Sequence, residues 1–233
     1  MAIEKLKETV PSQLRTLLHE YGEVEEYKRN EYIFKQGEEG TCFYVILSGI
    51  IQKTKSNSDG KEVTIRLATT GDIIGELTLF SGDFNYLASA KTKKATSVLR
   101  IEKPNFEKGI IKDPVLLQEF LKWVNLYARR MHMKYRDLLF AGKKGGVYST
   151  LIRLSNSYGI QKDNGILINL SITNQELASF AGISREVVNR MLTDLKSDGI
   201  ISIKNKKITI HDMGYLRQEV QCENCPIEIC TIF

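Results

Sequence analysis

Apolar residues change their spacing several times along this chain. Over residues 5–21, Leu6, Val10, Leu14, Leu17 and Leu18 recur mostly at steps of three and four, which predicts an amphipathic helix. From about Glu25 the pattern shortens to β runs, over residues 32–34, 42–47, 50–54, 63–67 and 95–101. Turn residues separate them: Gly37 and Gly40, Ser48-Gly49, Asn57-Ser58-Asp59-Gly60, Gly71-Asp72 and Ser81-Gly82-Asp83. Asp59-Gly60 between two β runs predicts a hairpin, because the turn that suits paired strands needs positive φ. Short strands at this spacing predict an antiparallel sandwich or barrel.

At Asp113-Pro114 the pattern lengthens again, with Asp as N-cap and Pro at the first helical position. Leu117, Leu121, Val124, Ala128, Met131, Tyr135 and Leu138 follow at alternating steps of four and three, the seam of a coiled coil. Such a seam needs a partner, either the chain's own β domain or a second copy. From its middle onward this helix is basic: Lys122, Arg129, Arg130, Lys134, Arg136, Lys143 and Lys144 face one acid, Asp137. Taken alone, Asp137 reads as a solvated salt-bridge partner.

Gly142-Lys143-Lys144-Gly145-Gly146 reads as a hinge, followed by a helix over 148–158, a turn over 161–165 and a strand over 166–170. Thr173-Asn174-Gln175-Glu176 has the form of a capping box. The helix it opens, the turn Ala181-Gly182-Ile183 and a second helix from Ser184 to about Lys196 have helix-turn-helix spacing. Residues 200–203 and 207–210 then pair as a wing, with Lys204-Asn205-Lys206 at its tip. On the second helix Val188, Met191, Leu192 and Leu195 share an inward face. Arg185, Glu186, Asn189, Arg190 and Thr193 share the other. Arginine can grip guanine with a fork of two bonds, and glutamate can accept from cytosine; the plainer reading is a charged surface stripe.

A length of 233 residues allows two modest domains or one large one, and 42% hydrophobic with 26% charged residues is ordinary for a globular protein. No apolar run reaches the ~18 residues of a membrane span, so no membrane partner is expected. Glu4 and Glu8 without an apolar core do not make a signal peptide, so a cytoplasmic chain with reduced thiols is expected. The net charge is +5, and residues 142–216 hold ten Lys and Arg against six Asp and Glu. Most of the basic excess thus falls in the segment expected to meet a polyanion, double-stranded DNA.

Three of the four cysteines, Cys222, Cys225 and Cys230, are spaced C-x2-C-x4-C. In a reducing compartment this density of thiols points to metal ligation, with a fourth ligand from elsewhere; the alternative is a tail whose cysteines do nothing. Cys42, in an apolar strand, reads as a small buried hydrophobe. With only three histidines (His19, His132 and His211) and no clustered acid–base pair, an enzyme is not expected.

Gly37-x-x-Gly40, Tyr44-Val45-Ile46-Leu47-Ser48-Gly49 and Gly71-Asp72-Ile73-Ile74-Gly75-Glu76-Leu77 resemble the β-roll sensor domain of the Crp/Fnr family of bacterial transcription regulators. Ser184-Arg185-Glu186-x-x-x-Arg190 resembles that family's recognition helix. The resemblance covers nearly the whole chain. It implies an α+β protein: an N-terminal antiparallel β-roll (jelly-roll-like) over 1–112, a dimerisation helix over 113–141, a winged helix-turn-helix over 142–216 and a cysteine-rich tail over 217–233. It also implies a homodimer through the seam and an inverted-repeat DNA site with half-sites close to TGTGA. Ser184, Arg185, Glu186, Asn189, Arg190, Thr173 and Lys206 would contact the DNA, with RNA polymerase as a further partner. Members that bind cyclic AMP hold its phosphate with an Arg-Ser pair. Tyr86 and Leu87 stand there, so no cyclic nucleotide is expected, although Gly75 and Glu76 remain.

The tail, with Arg136-Asp137-Leu138-Leu139 and Gly142-Lys143-Lys144-Gly145, resembles the Fnr branch found in bacilli. That resemblance implies an oxygen-sensing [4Fe–4S] cluster on Cys222, Cys225 and Cys230, with Asp137 as fourth ligand. Fnr proteins of the enteric type carry cluster cysteines near the N-terminus, where this chain has none. Zinc or a reversible thiol switch at the same cysteines is the alternative, and a plain β-roll ligand module remains open.

Overall fold

The computed structural model describes residues 18–232 apart from 19, 61, 83 and 84. The helix expected over 5–21 lies almost wholly outside the described residues. Two compact units emerge, Met1–Val124 and Asn125–Phe233.

The first unit holds strands β1 (Gly22–Tyr27), β2 (Tyr32–Phe34), β3 (Cys42–Ser48), β4 (Ile50–Ser56), β5 (Glu62–Thr69), β6 (Ile73–Ile74), β7 (Ser89–Thr92) and β8 (Thr96–Glu102). They form two four-stranded antiparallel sheets, ordered β1-β8-β3-β6 and β2-β7-β4-β5. The β4–β5 hairpin turns at Gly60, as Asp59-Gly60 requires. Strand β3 explains its own unbroken apolar run, for it is buried on both faces. Phe43, Val45 and Leu47 join one cluster, while Cys42, Tyr44 and Ile46 join the other with Phe34, Ile51 and Ala68. Cys42 is the buried hydrophobe the sequence suggests.

Helix α1 (Lys103–Ile111) drops Phe106 and Ile110 into the first cluster at an i, i+4 interval. The apolar spacing alone does not separate it from β8. Helix α2 (Pro114–Tyr158) opens where expected, with Asp113 Oδ1 accepting from the backbone N–H of Val115 at 2.9 Å and Leu116 at 3.2 Å. Its first turns bury Leu116 and Phe120 in that cluster, with Leu117, Trp123 and Val124 at the edge. Two seam residues therefore serve the β-roll. Leu121, Ala128, Tyr135 and Leu138 do not join it: all four are exposed, and Met131 is half-buried.

Within the second unit, α2 breaks at Gly142, whose φ of 51° and ψ of −132° leave the helical region. The expected hinge shrinks to that one residue, and the helix resumes at once rather than at Tyr148. The two limbs then pack closely: a Cβ on Gly145 would run into the Asp137 carbonyl oxygen. Strands β9 (Gly159–Lys162), β10 (Gly165–Ile168), β11 (Ile201–Lys204) and β12 (Lys207–Ile210) make a sheet ordered β11-β12-β10-β9. Gln161 and Lys162 pair in β9, so the turn expected over 161–165 is shorter. Helices α3 (Asn174–Ala181), α4 (Arg185–Ser197) and α5 (Met213–Glu219) complete the unit. Helix α5 runs across the expected boundary at 216 into the cysteine-rich tail.

Candidate functional site

The capping box forms as read. The Thr173 hydroxyl accepts from the Glu176 N–H at 3.1 Å, and the Glu176 carboxylate accepts from the Thr173 N–H at 2.9 Å. Gly182 ends α3 in the left-handed conformation, and Ser184 starts α4. Val188, Leu192 and Leu195 are buried, while Met191 reaches only half-burial. Ser184, Arg185, Glu186, Arg190 and Thr193 are exposed, as are Thr173 and Lys206. Asn189 differs: its side-chain oxygen accepts from Asn174 Nδ2, which ties α4 to the start of α3. At the wing tip Asn205 and Lys206 both take positive φ, 53° and 60°, as a tight two-residue turn between strands demands.

A second constellation lies in the same unit, along both limbs of α2. Asp137 is buried, and both its oxygens are engaged. Oδ1 accepts from Arg136 Nη1 at 3.0 Å and Oδ2 from Arg153 Nη2 at 2.5 Å. A carboxylate taken out of water needs compensating partners, and the two guanidinium groups supply them. The solvated partner read from sequence is thus a buried one. Arg136 precedes the Gly142 break and Arg153 follows it.

The tail is bound to both limbs as well. Before the break, Arg130 Nε donates to the Glu228 carbonyl at 2.7 Å, Arg136 Nη2 to the Gln221 carbonyl at 2.7 Å, and Arg136 Nε pairs with Glu223 at 2.8 Å. After it, Asn156 Nδ2 donates to the Cys230 carbonyl at 2.7 Å, and Ser157 Oγ accepts from Ile232 N–H at 3.0 Å. Ile229 and Ile232 bury their side chains.

One pocket collects Asp137, Arg136, Arg153, Cys222, Cys225 and Cys230 along its lining. All three thiols are free and half-buried. Burial raises the pKa of Cys225 and Cys230, with Arg153 pulling Cys230 back down. Three sulfurs and a carboxylate suit a soft, electron-poor metal centre. At rest these donors do not converge on a point. Among the described residues no three His, Cys, Asp or Glu side chains could hold one metal ion, and the cavity is about 20 Å3, room for roughly one water. Cys225 also borders a wider groove of about 540 Å3 beside Ala128, Arg129 and His132.

The β-roll carries a third charged cluster that sequence reasoning missed. Lys53 Nζ donates to Glu76 Oε1 at 2.6 Å, both groups buried, and Arg66 lies fully buried beside them, donating to the Ile73 carbonyl. A signal was present: Lys53 and Arg66 sit cross-strand at inward positions of β4 and β5, where alternation calls for apolar residues. Tyr86 is buried too, stacked on Phe34 with ring centroids 3.9 Å apart, its hydroxyl donating to the Cys42 carbonyl at 2.6 Å; Leu87 is exposed.

Comparison with known proteins matches residues 24–113 to the cyclic nucleotide-binding domain and residues 147–219 to the Crp-like helix-turn-helix domain. The chain is 47% identical, over 96% of its length and 94% of the relative's, to the anaerobic regulatory protein of Bacillus subtilis. It is 26% identical, over 91% and 93%, to a CRP-like cAMP-activated global transcriptional regulator of Mycobacterium tuberculosis. Among solved structures, the c-di-GMP responsive regulator CLP of Xanthomonas campestris aligns with a TM-score of 0.77 at 20% identity, over 87% of this chain and 100% of that one. That likeness shows the fold.

Proposed function

Because this chain belongs to the Crp/Fnr family of DNA-binding transcription regulators, we propose that it is an oxygen-responsive member whose C-terminal cysteines and Asp137 hold an iron–sulfur cluster. The observation that carries this reading is the pocket where Cys222, Cys225, Cys230 and Asp137 meet. Donors that share a pocket without converging suit a cluster, in which each ligand takes a different iron. The 47% identical relative is named an anaerobic regulatory protein, which agrees.

A bound cluster supplies the element that oxygen attacks. The chain's residues convert its presence into geometry. The tail already bridges the limbs of α2 through Arg130 and Arg136 on one side and Asn156 and Ser157 on the other, and ligation of the cysteines would stiffen that bridge at Gly142. Loss of the cluster would remove that added constraint. In a homodimer paired through Leu117, Leu121, Val124, Ala128, Met131, Tyr135 and Leu138, the two α4 helices would then lose the spacing that fits successive major grooves. Ser184, Arg185, Glu186, Asn189 and Arg190 would read the bases, with Thr173 and Lys206 on phosphates. RNA polymerase would be the partner once bound.

Zinc in the same pocket is a second reading, since it too takes thiolate and carboxylate ligands, and it would need the donors to draw together on one ion. For the β-roll we propose no cyclic nucleotide, since Lys53 engages the Glu76 carboxylate and neither Tyr86 nor Leu87 offers a cation to a phosphate.

Iron, acid-labile sulfide and zinc should be measured on protein purified without air. About four irons and four sulfides per chain, with brown absorption that bleaches in air, are expected. Stoichiometric zinc without colour would replace the cluster by the second reading. Binding-site selection on the oxygen-free protein should return an inverted repeat of TGTGA-like half-sites, and an unrelated consensus would reject the base-reading assignment.

A further inference from the structure

Arg153 is 4% exposed, and only part of its guanidinium is used. Nη2 holds Asp137, whereas Nε is buried with no hydrogen-bond partner among the described residues. A buried, unsatisfied donor on a cation is costly and calls for an explanation. Its place supplies one, because Arg153 lines the pocket of Cys222, Cys225 and Cys230. Ser149 and Ser155, its near neighbours along α2, satisfy themselves on helix carbonyls.

Charge makes the same point. Three thiolates and one carboxylate carry four negative charges, of which a [4Fe–4S]2+ core or a zinc ion offsets two. Two negative charges remain in a site largely closed to water. Two guanidinium groups line it, Arg136 and Arg153, and arginine keeps its charge when buried. Arg136 also spends a donor on the tail backbone. Arg136 Nε stands 2.8 Å from the Glu223 carboxylate without completing a hydrogen bond, and Arg153 Nε also makes none.

We propose that Arg153 is a positioning and charge-balancing residue of the metal site. One nitrogen would fix the Asp137 carboxylate toward the cysteines, and the spare N–H, with its positive charge, would stabilise the thiolates of the loaded site. This rests on the metal-binding reading above. It adds a residue outside the ligand set, from the limb of α2 beyond the break. Because Arg153 follows Gly142 and Asp137 precedes it, loading the pocket would tighten contact across the hinge.

The test uses full-length protein purified and reconstituted without air, as wild type, Arg153→Lys and Arg153→Met. Three quantities are read: iron bound, cluster lifetime after exposure to air, and the cluster's reduction potential. The third moves with local charge and hydrogen bonds to sulfur, which a merely structural role would leave alone. Removing an outer partner of a metal ligand typically costs ~10–100-fold in affinity. Arg153→Met should therefore shorten the lifetime about tenfold or more and lower the potential. Arg153→Lys, which keeps the charge but has one nitrogen for two tasks, should fall between. A lifetime and potential like wild type in Arg153→Met would overturn the proposal. Should that variant fail to fold, Arg153→Lys carries the test, and an unchanged lifetime there overturns it. Wild type without iron but with zinc moves the measurement to cobalt uptake, read by the thiolate-to-cobalt absorption in the same variants, with the same ordering required. Wild type that binds neither metal overturns the metal-binding reading itself.

Discussion

In the β-roll, Lys53 meets Glu76 at 2.6 Å with Arg66 alongside; in the second unit, Asp137 meets Arg153 at 2.5 Å and Arg136 at 3.0 Å. Both are buried carboxylates facing two cations. They differ in what surrounds them. Around the β-roll cluster lie strand neighbours and Tyr86 stacked on Phe34, and the thiol of that domain, Cys42, is buried among apolar side chains. The Asp137 cluster opens on three free cysteines. In the domain that matches the cyclic nucleotide-binding family the charged cluster is an ion pair of its own side chains, while the tail carries the soft donors.

The sharpest test of this contrast is to empty each carboxylate in turn. Glu76→Leu leaves Lys53 and Arg66 facing each other, and Asp137→Leu leaves Arg136 and Arg153 so. Each should cost about 3–5 kcal/mol, the penalty for an uncompensated buried charge, measured by denaturant unfolding. Only Asp137→Leu should also abolish metal retention. Removing both partners separates fold from function further. Lys53→Met with Glu76→Leu should return to within about 1 kcal/mol of wild type, since an apolar pair can replace a buried ion pair. Asp137→Leu with Arg153→Met should recover stability but not metal. Equal metal retention across all four variants would erase the distinction.

Ligands should sort the clusters next. Zinc or cobalt at a hundredfold excess over its dissociation constant should stabilise the second unit by about 2.7 kcal/mol, read as a shift in its unfolding transition. Cyclic AMP should leave the β-roll transition where it was. A shift with cyclic AMP would show that the β-roll site is not filled.

How legible these clusters were in the sequence follows from what each depends on. The sheets, the capping box, the wing and the two helices of the DNA-reading element were readable because local spacing and turn chemistry determine them. Thr173, Glu176, Asp59 and Gly60 act within a few residues of one another. The three cysteines were readable by density, and Asp137 came from family resemblance. Arg153 was invisible, since its partner is 16 residues away across a backbone break that only packing reveals. Lys53 and Arg66 were readable in principle from the strand alternation, but the eye passes over a cation at an inward position when the neighbours are apolar. Helix α1 was missed because it begins on β8 with no turn signal between them. Pro104 was the one punctuation mark.

Acid should act on the β-roll cluster in one direction. Burial pushes the Glu76 pKa up, but Lys53 and Arg66 outweigh it, so the carboxyl sits below its ordinary 4.5. The folded state therefore gains stability from Glu76 above about pH 4.5 and loses it as pH falls through the lowered folded value. Melting temperatures of the β-roll transition between pH 3 and 6 should fall less steeply in Glu76→Gln than in wild type. A parallel slope would mean the pair contributes nothing to acid stability.

The smallest effect compares two single hydrogen bonds. Tyr86→Phe removes the hydroxyl that donates to the Cys42 carbonyl, and Asn156→Ala removes the amide that donates to the Cys230 carbonyl. Each loses one side chain-to-backbone bond, worth about 1 kcal/mol. Unfolding measurements should find the two costs similar. In the β-roll the consequence ends there, because Tyr86 still fills its place as a ring. In the tail it does not end there: Cys230 is held to the second limb of α2 through that bond, so Asn156→Ala should also speed the loss of metal in air. Two variants of equal stability cost and unequal metal lifetime would show that the tail is the unit's working part. Equal lifetimes would mean that burial of Ile229 and Ile232 alone fixes Cys230, and that the bridge across Gly142 is apolar rather than polar.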